Sequence, residues 1–288
     1  MPSMHSGSPR HVSENGPSER DPDAAARDSA SSSTTANGGR ALLVQHERAT
    51  PGGYVRQWLV EHGWQVAELR IDHAVADPAW VSPDLASYDV VVSLGSEFAA
   101  YDDSVPFVRA ELDLVRRAIE ENVAVLGICF GGQLLARALG ARVWRSNRAE
   151  VGWYDVELLV PGAFARGPWF QWHFDTFAVP TGAKLLAQSD VGPQAFRVGP
   201  HLGVQFHPEV TESIMEEWVD VYPHELREVG VDPEVLMAQT RAVVTSSQAH
   251  AAELLEDYLT DIGRADGEVV GAASRVELEG GSRRGSSG

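Results

Sequence analysis

The run Val123-Ala124-Val125-Leu126-Gly127-Ile128-Cys129-Phe130-Gly131-Gly132-Gln133 sets the tightest limit on what this chain can fold into. Its first half is nearly all apolar, as expected of a strand covered on both faces. Its second half opens a segment of helical pattern that continues to Leu139. Between them stands Gly-x-Cys-x-Gly, the form of a nucleophile elbow written with cysteine. Glycines are needed there because a tight strand-to-helix turn brings neighbouring backbone too close for side chains. The pattern predicts an exposed sulfur at a helix N-terminus, where unpaired N–H groups and the helix dipole favour a thiolate. It also predicts that the amide of Phe130 faces the oxyanion formed after attack. The chain has a single cysteine, which excludes an internal disulfide and a cysteine-rich zinc site. A buried structural cysteine is the plainer alternative, but glycines at both framing positions favour the nucleophile.

The flanking segments supply the rest of an α/β architecture. Ala41–Val44, Trp64–Leu69 and Tyr88–Leu94 read as strands, and Tyr54–His62 and the segment from Pro106 to Asn122 read as helices. This alternation predicts a doubly wound, mostly parallel sheet. From Val151 the texture changes to short strands, at 152–160, 169–173, 184–188, 194–198 and 202–206, which implies an antiparallel extension. Beyond Pro208 extra C-terminal helices follow, with Ile214, Trp218 and Val219 on one face. Val235, Leu236, Val243, Leu254, Leu255 and Leu259 are expected to be buried in the later segment.

A thiolate enzyme needs a base, and Gly203-Val204-Gln205-Phe206-His207-Pro208-Glu209 offers one. His207 falls just beyond a predicted strand, where doubly wound sheets place their chemistry. Pro208 stiffens the link to Glu209, whose carboxylate can hydrogen-bond the imidazole and fix its tautomer.

Composition bounds the folded unit. Residues 1–39 and 264–288 are rich in small and polar residues and are expected to be disordered tails around one domain, 40–263. No apolar stretch is long enough to span a membrane and no secretory leader is visible, so a cytoplasmic location is expected. With 23 Lys plus Arg against 41 Asp plus Glu, the net charge of −18 argues against a nucleic-acid partner.

Gly127-Ile128-Cys129-Phe130-Gly131-Gly132-Gln133 and Gln205-Phe206-His207-Pro208-Glu209 together resemble the paired signatures of class I glutamine amidotransferases. Glu150-Val151-Gly152-Trp153, the segment Phe170–Phe177 and Gln194-Ala195-Phe196-Arg197 resemble its free-standing branch, similar to the amidotransferase domain of GMP synthase. The resemblance implies a flavodoxin-like fold and a Cys129, His207, Glu209 triad acting on glutamine or a γ-glutamyl compound through a γ-glutamyl thioester. It further implies an oxyanion hole from Gly95 and Phe130, and substrate contacts from Gln133, Ser96, Trp172, His173 and Asp175. No metal or cofactor is implied.

Two positions depart from the family pattern. Leu94-Gly95-Ser96-Glu97 stands where synthase-linked members commonly have Gly-Gly-Pro, and Phe174 stands where many relatives have a small residue. No ATP-binding loop of the P-loop type is present, so an ammonia-accepting synthase would be a separate protein. The alternatives are a stand-alone γ-glutamyl peptide or conjugate hydrolase, and a non-catalytic redox sensor using Cys129.

Overall fold

The computed structural model describes residues 38–276, with side chains through residue 263. Of the expected tails, residues 1–37 and 277–288 lie outside these residues, whereas 264–276 fall within them. The elements, in chain order, are β1 (Arg40–Gln45), α1 (Gly53–Glu61), β2 (Gln65–Arg70), α2 (Ile71–Ala74), β3 (Val90–Ser93), α3 (Pro106–Glu120), β4 (Ala124–Ile128) and α4 (Phe130–Ala138). Then come β5 (Val143–Tyr154), β6 (Glu157–Leu158), β7 (Trp169–Phe177), β8 (Lys184–Gln188), β9 (Pro193–Val198), β10 (His201–Val204), α5 (Glu212–Val221), α6 (Pro223–Val229) and α7 (Pro233–Val276). Helix α7 runs past residue 263, where composition alone places the end of the domain.

The main sheet has the order β2-β1-β3-β4-β10-β9-β8-β6. Its first five strands are parallel, and β9, β8 and β6 add antiparallel. The expected doubly wound sheet with an antiparallel extension is therefore present, in the flavodoxin-like order with β10 as the fifth parallel strand. Alternate residues of each central strand serve opposite faces. Leu43, Val92 and Leu126 pack with Val55, Leu59, Leu254 and Leu255 of α1 and α7. Leu42, Val91 and Val125 pack with Val108, Leu112, Leu134 and Leu135 of α3 and α4. Coverage on both sides explains why β3 and β4 read as unbroken apolar runs.

β5 and β7 form a separate antiparallel ribbon. The sequence pattern starts this strand at Gly152, whereas β5 starts at Val143. A register irregularity between Arg145 and Glu150, in a run of exposed polar residues, hides the two-residue period. The ribbon packs Val151, Phe170 and Trp172 against Ile214, Met215, Trp218, Leu226 and Leu236 of α5, α6 and α7. Trp218 and Leu236 thus belong to the core, while Val235, expected to be buried, is 54% exposed because the inward stripe of α7 passes one position later.

Candidate active site

Cys129 ends β4 and opens α4 with φ 51° and ψ −106°, a left-handed conformation rare for a residue with a Cβ. The strain is held from outside: Cys129 N donates to Val204 O of β10 at 2.9 Å, and Gly131 N donates to Leu94 O at 3.2 Å. Close packing explains the second framing glycine, since a Cβ on Gly131 would stand 2.1 Å from Ser93 O. One expectation is corrected here. Cys129 is not exposed at the helix N-terminus but buried, 5% exposed, and lines a pocket, because the ribbon covers the elbow. Its Sγ lies 3.8 Å from Trp172 O.

The segment after β10 brings His207, the expected base, to the same place. His207 N donates to Phe170 O at 2.9 Å, tying this segment to the ribbon. His207 Nδ1 meets Glu209 Oε1 at 2.7 Å, both side chains buried. The second ring nitrogen, Nε2, is buried without a hydrogen-bond partner among the described residues. Burial opposes a charge on this imidazole, but the carboxylate of Glu209, then the sulfur of Cys129, outweigh it and push its pKa up to about 10. Trp218 packs edge-on against the ring at 5.0 Å and is itself anchored by its indole N–H to Ala49 O at 2.6 Å. Glu209 is seated by α1, whose Tyr54 N donates to Glu209 O at 2.8 Å. Gly53, with φ 45°, leaves room for that approach.

Gly95 completes the group. A Cβ there would lie 3.0 Å from His207 Cε1 and 4.0 Å from Cys129 Cβ, so its backbone borders both side chains. Phe130 follows Cys129 in the first turn of α4, where helical amides have no intrahelical acceptor.

The residues expected to bind substrate all line this pocket, but several have other commitments. Ser96 Oγ donates to Glu47 Oε1 at 2.6 Å. Both ring nitrogens of His173 are engaged, with Glu150 Oε2 at 3.0 Å and Asp175 O at 2.9 Å. Trp172 Nε1 donates to Glu225 Oε2 at 2.5 Å. Burial pushes the carboxyl of Asp175 upward. Phe174 carries Arg145 over its face, 4.9 Å from the ring centroid, placing a cation at the pocket mouth.

Gln205 has no role that the sequence alone assigns. Its Nε2 donates to Cys129 Sγ at 3.5 Å and its Oε1 accepts from Gln133 Nε2 at 3.2 Å. The available signal was strand alternation, which puts residues 205 and 207 on one side of the chain. Among the described residues, no cluster of three or more His, Cys, Asp or Glu could hold a metal, and no helix is long and apolar enough to cross a membrane.

Known proteins share this sequence pattern and fold. The family "Glutamine amidotransferase class-I" matches residues 55–219. The glutamine amidotransferase-like protein YfeJ of Salmonella typhimurium is 30% identical over 207 residues, which cover 65% of this chain and 82% of YfeJ. One chain of the glutamine-hydrolysing GMP synthase of Thermococcus kodakarensis is 38% identical over 112 residues, 36% of this chain and 58% of that one. The match to GMP synthase of Thermomicrobium roseum, 33% identical, spans 54% of this chain and only 32% of that enzyme. Among solved structures, a glutamine amidotransferase from Thermotoga maritima superposes with a TM-score of 0.70 at 30% identity, covering 77% of this chain and 98% of that one.

Proposed function

This chain belongs to the class I glutamine amidotransferase family, and on that premise we propose that it hydrolyses the γ-amide of glutamine and supplies the ammonia to a separate synthase. The observation that carries the reading is the meeting of three chain segments at one pocket. They are the strained Cys129 elbow, the His207–Glu209 pair at 2.7 Å, and the Gly95 backbone against both.

In this mechanism Cys129 Sγ attacks the γ-carbonyl carbon, and the carbonyl oxygen becomes an oxyanion facing the amides of Gly95 and Phe130. An imidazole whose pKa is pushed up to about 10 is protonated at neutral pH, so His207 begins the cycle as an acid. It gives its Nε2 proton to the leaving amine as the C–N bond breaks, leaving a γ-glutamyl thioester and neutral imidazole. Water then attacks the thioester, His207 takes the proton back, and glutamate and the thiolate are released. Glu209 holds the ring in place and stabilises its charged form. Gln133 and Gln205 would orient the glutamyl group and the sulfur.

A second reading is a self-sufficient γ-glutamyl hydrolase. The assembled site within a single chain favours it, since nothing in the His207–Glu209 geometry awaits a partner. Release of glutamate and ammonia by the purified protein, from glutamine and from a panel of γ-glutamyl peptides and amines, separates the two. Turnover of one conjugate, lost in Cys129→Ala, identifies a hydrolase. Labelled Cys129 without turnover identifies a glutaminase that needs its synthase. Failure of Cys129 to react with any γ-glutamyl analogue would sink both.

A further inference from the structure

Behind the pocket lies a third buried histidine–carboxylate pair, with no atom in the proposed reaction. His46, Glu111 and Ser93 are each fully buried. Glu111, from α3, meets His46 Nε2 with one oxygen and accepts from Ser93 Oγ with the other at 2.7 Å. The opposite nitrogen, His46 Nδ1, lies 2.9 Å from Gly95 O. A carbonyl oxygen only accepts, so Nδ1 carries a proton and donates it there. The imidazole ring also packs edge-on against Phe130 at 4.6 Å. One side chain thus touches both residues whose amides would face the oxyanion.

We propose that His46, held by Glu111, is a positioning residue for the oxyanion site, fixing the peptide planes of the 94–96 loop. The proposal rests on the reading that Cys129 attacks a γ-glutamyl carbonyl. A planar trans peptide points its N–H opposite its C=O. The bond from Gly131 N to Leu94 O therefore sets the plane that carries the Gly95 N–H. The bond from His46 to Gly95 O sets the next plane, between Gly95 and Ser96, so that Gly95 is held from both of its peptide bonds. Gly95 has no side chain to resist a peptide flip, so an external bond must do so. The adjacent Glu47 reinforces the grip by accepting from Ser96 Oγ. Stability is a weak rationale for such a pair, because a buried ion pair is often no better than an apolar replacement. The charges of Glu111 and Glu47 outweigh burial and raise the His46 pKa, consistent with a protonated donor.

The test compares two alkylations of Cys129 in the full-length protein, followed by mass spectrometry. The chloroketone analogue of glutamine, 2-amino-4-oxo-5-chloropentanoate, places a ketone oxygen at the oxyanion site while sulfur displaces chloride. Iodoacetamide, in which sulfur displaces iodide, needs no oxyanion site. In His46→Phe the chloroketone rate should fall about tenfold relative to the iodoacetamide rate, part of the roughly hundredfold effect of losing an oxyanion donor outright. His46→Gln, which keeps an N–H donor, should recover most of it. Should His46→Phe fail to fold because Glu111 is left unpaired, the double variant His46→Phe with Glu111→Leu should show the same selective fall. Equal changes in both rates, or no change in a folded variant, would overturn the positioning role. A wild-type protein that reacts with iodoacetamide but not with the chloroketone would overturn the γ-glutamyl reading and this proposal with it.

Discussion

At the scale of single residues, His207 sets the pH behaviour of the site. Its pKa in the folded chain is raised to about 10 from 6.5, so the folded state holds a proton that the unfolded chain releases sooner. The stabilisation is complete below pH 6.5 and is lost as pH rises through about 10. The melting temperature of the wild type should therefore fall more steeply across that window than that of Glu209→Gln, which lacks the stabilising charge. Equal slopes would mean that the pair is not ionic. Gly95 offers a geometric counterpart. In Gly95→Ala the new methyl must push His207 back by a few tenths of an ångström, so kcat in the glutamate-release assay should fall about tenfold while thermal stability barely changes. Cys129, His207 and Glu209 were legible at this scale because glycines and proline frame them with local chemical meaning. Gln205 stood in the same motif but means nothing until Cys129, seventy-six positions earlier, lies beside it.

At the scale of elements, α4 docks on the sheet through glycine rather than through side chains. Gly131→Ala would force a methyl to within 2.1 Å of Ser93 O, a backbone atom that cannot step aside. We expect a loss of ~3 kcal/mol in unfolding free energy, measured by urea titration. The β5–β7 ribbon is pinned differently, by Trp153 Nε1 donating to the fully buried Thr240 Oγ1 of α7 at 3.0 Å. Thr240→Val keeps the shape but strands the indole donor, at a cost of ~1–2 kcal/mol, which the same titration would read. The central strands and helices were readable because two-sided burial and amphipathic spacing are local signals. The ribbon was readable only in part, from Gly152 and along 169–173, since the register break in β5 falls in a polar stretch where neither period survives.

At the scale of the whole molecule, the site is where the C-terminal ends of β1, β3, β4 and β10 converge. These four strands are neighbours in the sheet, and the crossover direction reverses between β1 and β3. Residues 38–276 contain all of these strands, and we expect that fragment to react with the glutamine chloroketone at the rate of the full chain. A slower rate would assign the flanking residues a part in the site. The sheet class, the elbow and the candidates for nucleophile and base were written in the chain itself, because hydrophobic period, glycine frames and short motifs are properties of neighbouring residues. That Cys129 is buried under the ribbon, that Ser96 and His173 are committed to carboxylates, and that His46 reaches behind the oxyanion loop emerged only on folding. Each of these depends on which loops a parallel sheet carries to the same edge, and that adjacency is created by strand order rather than by distance along the chain.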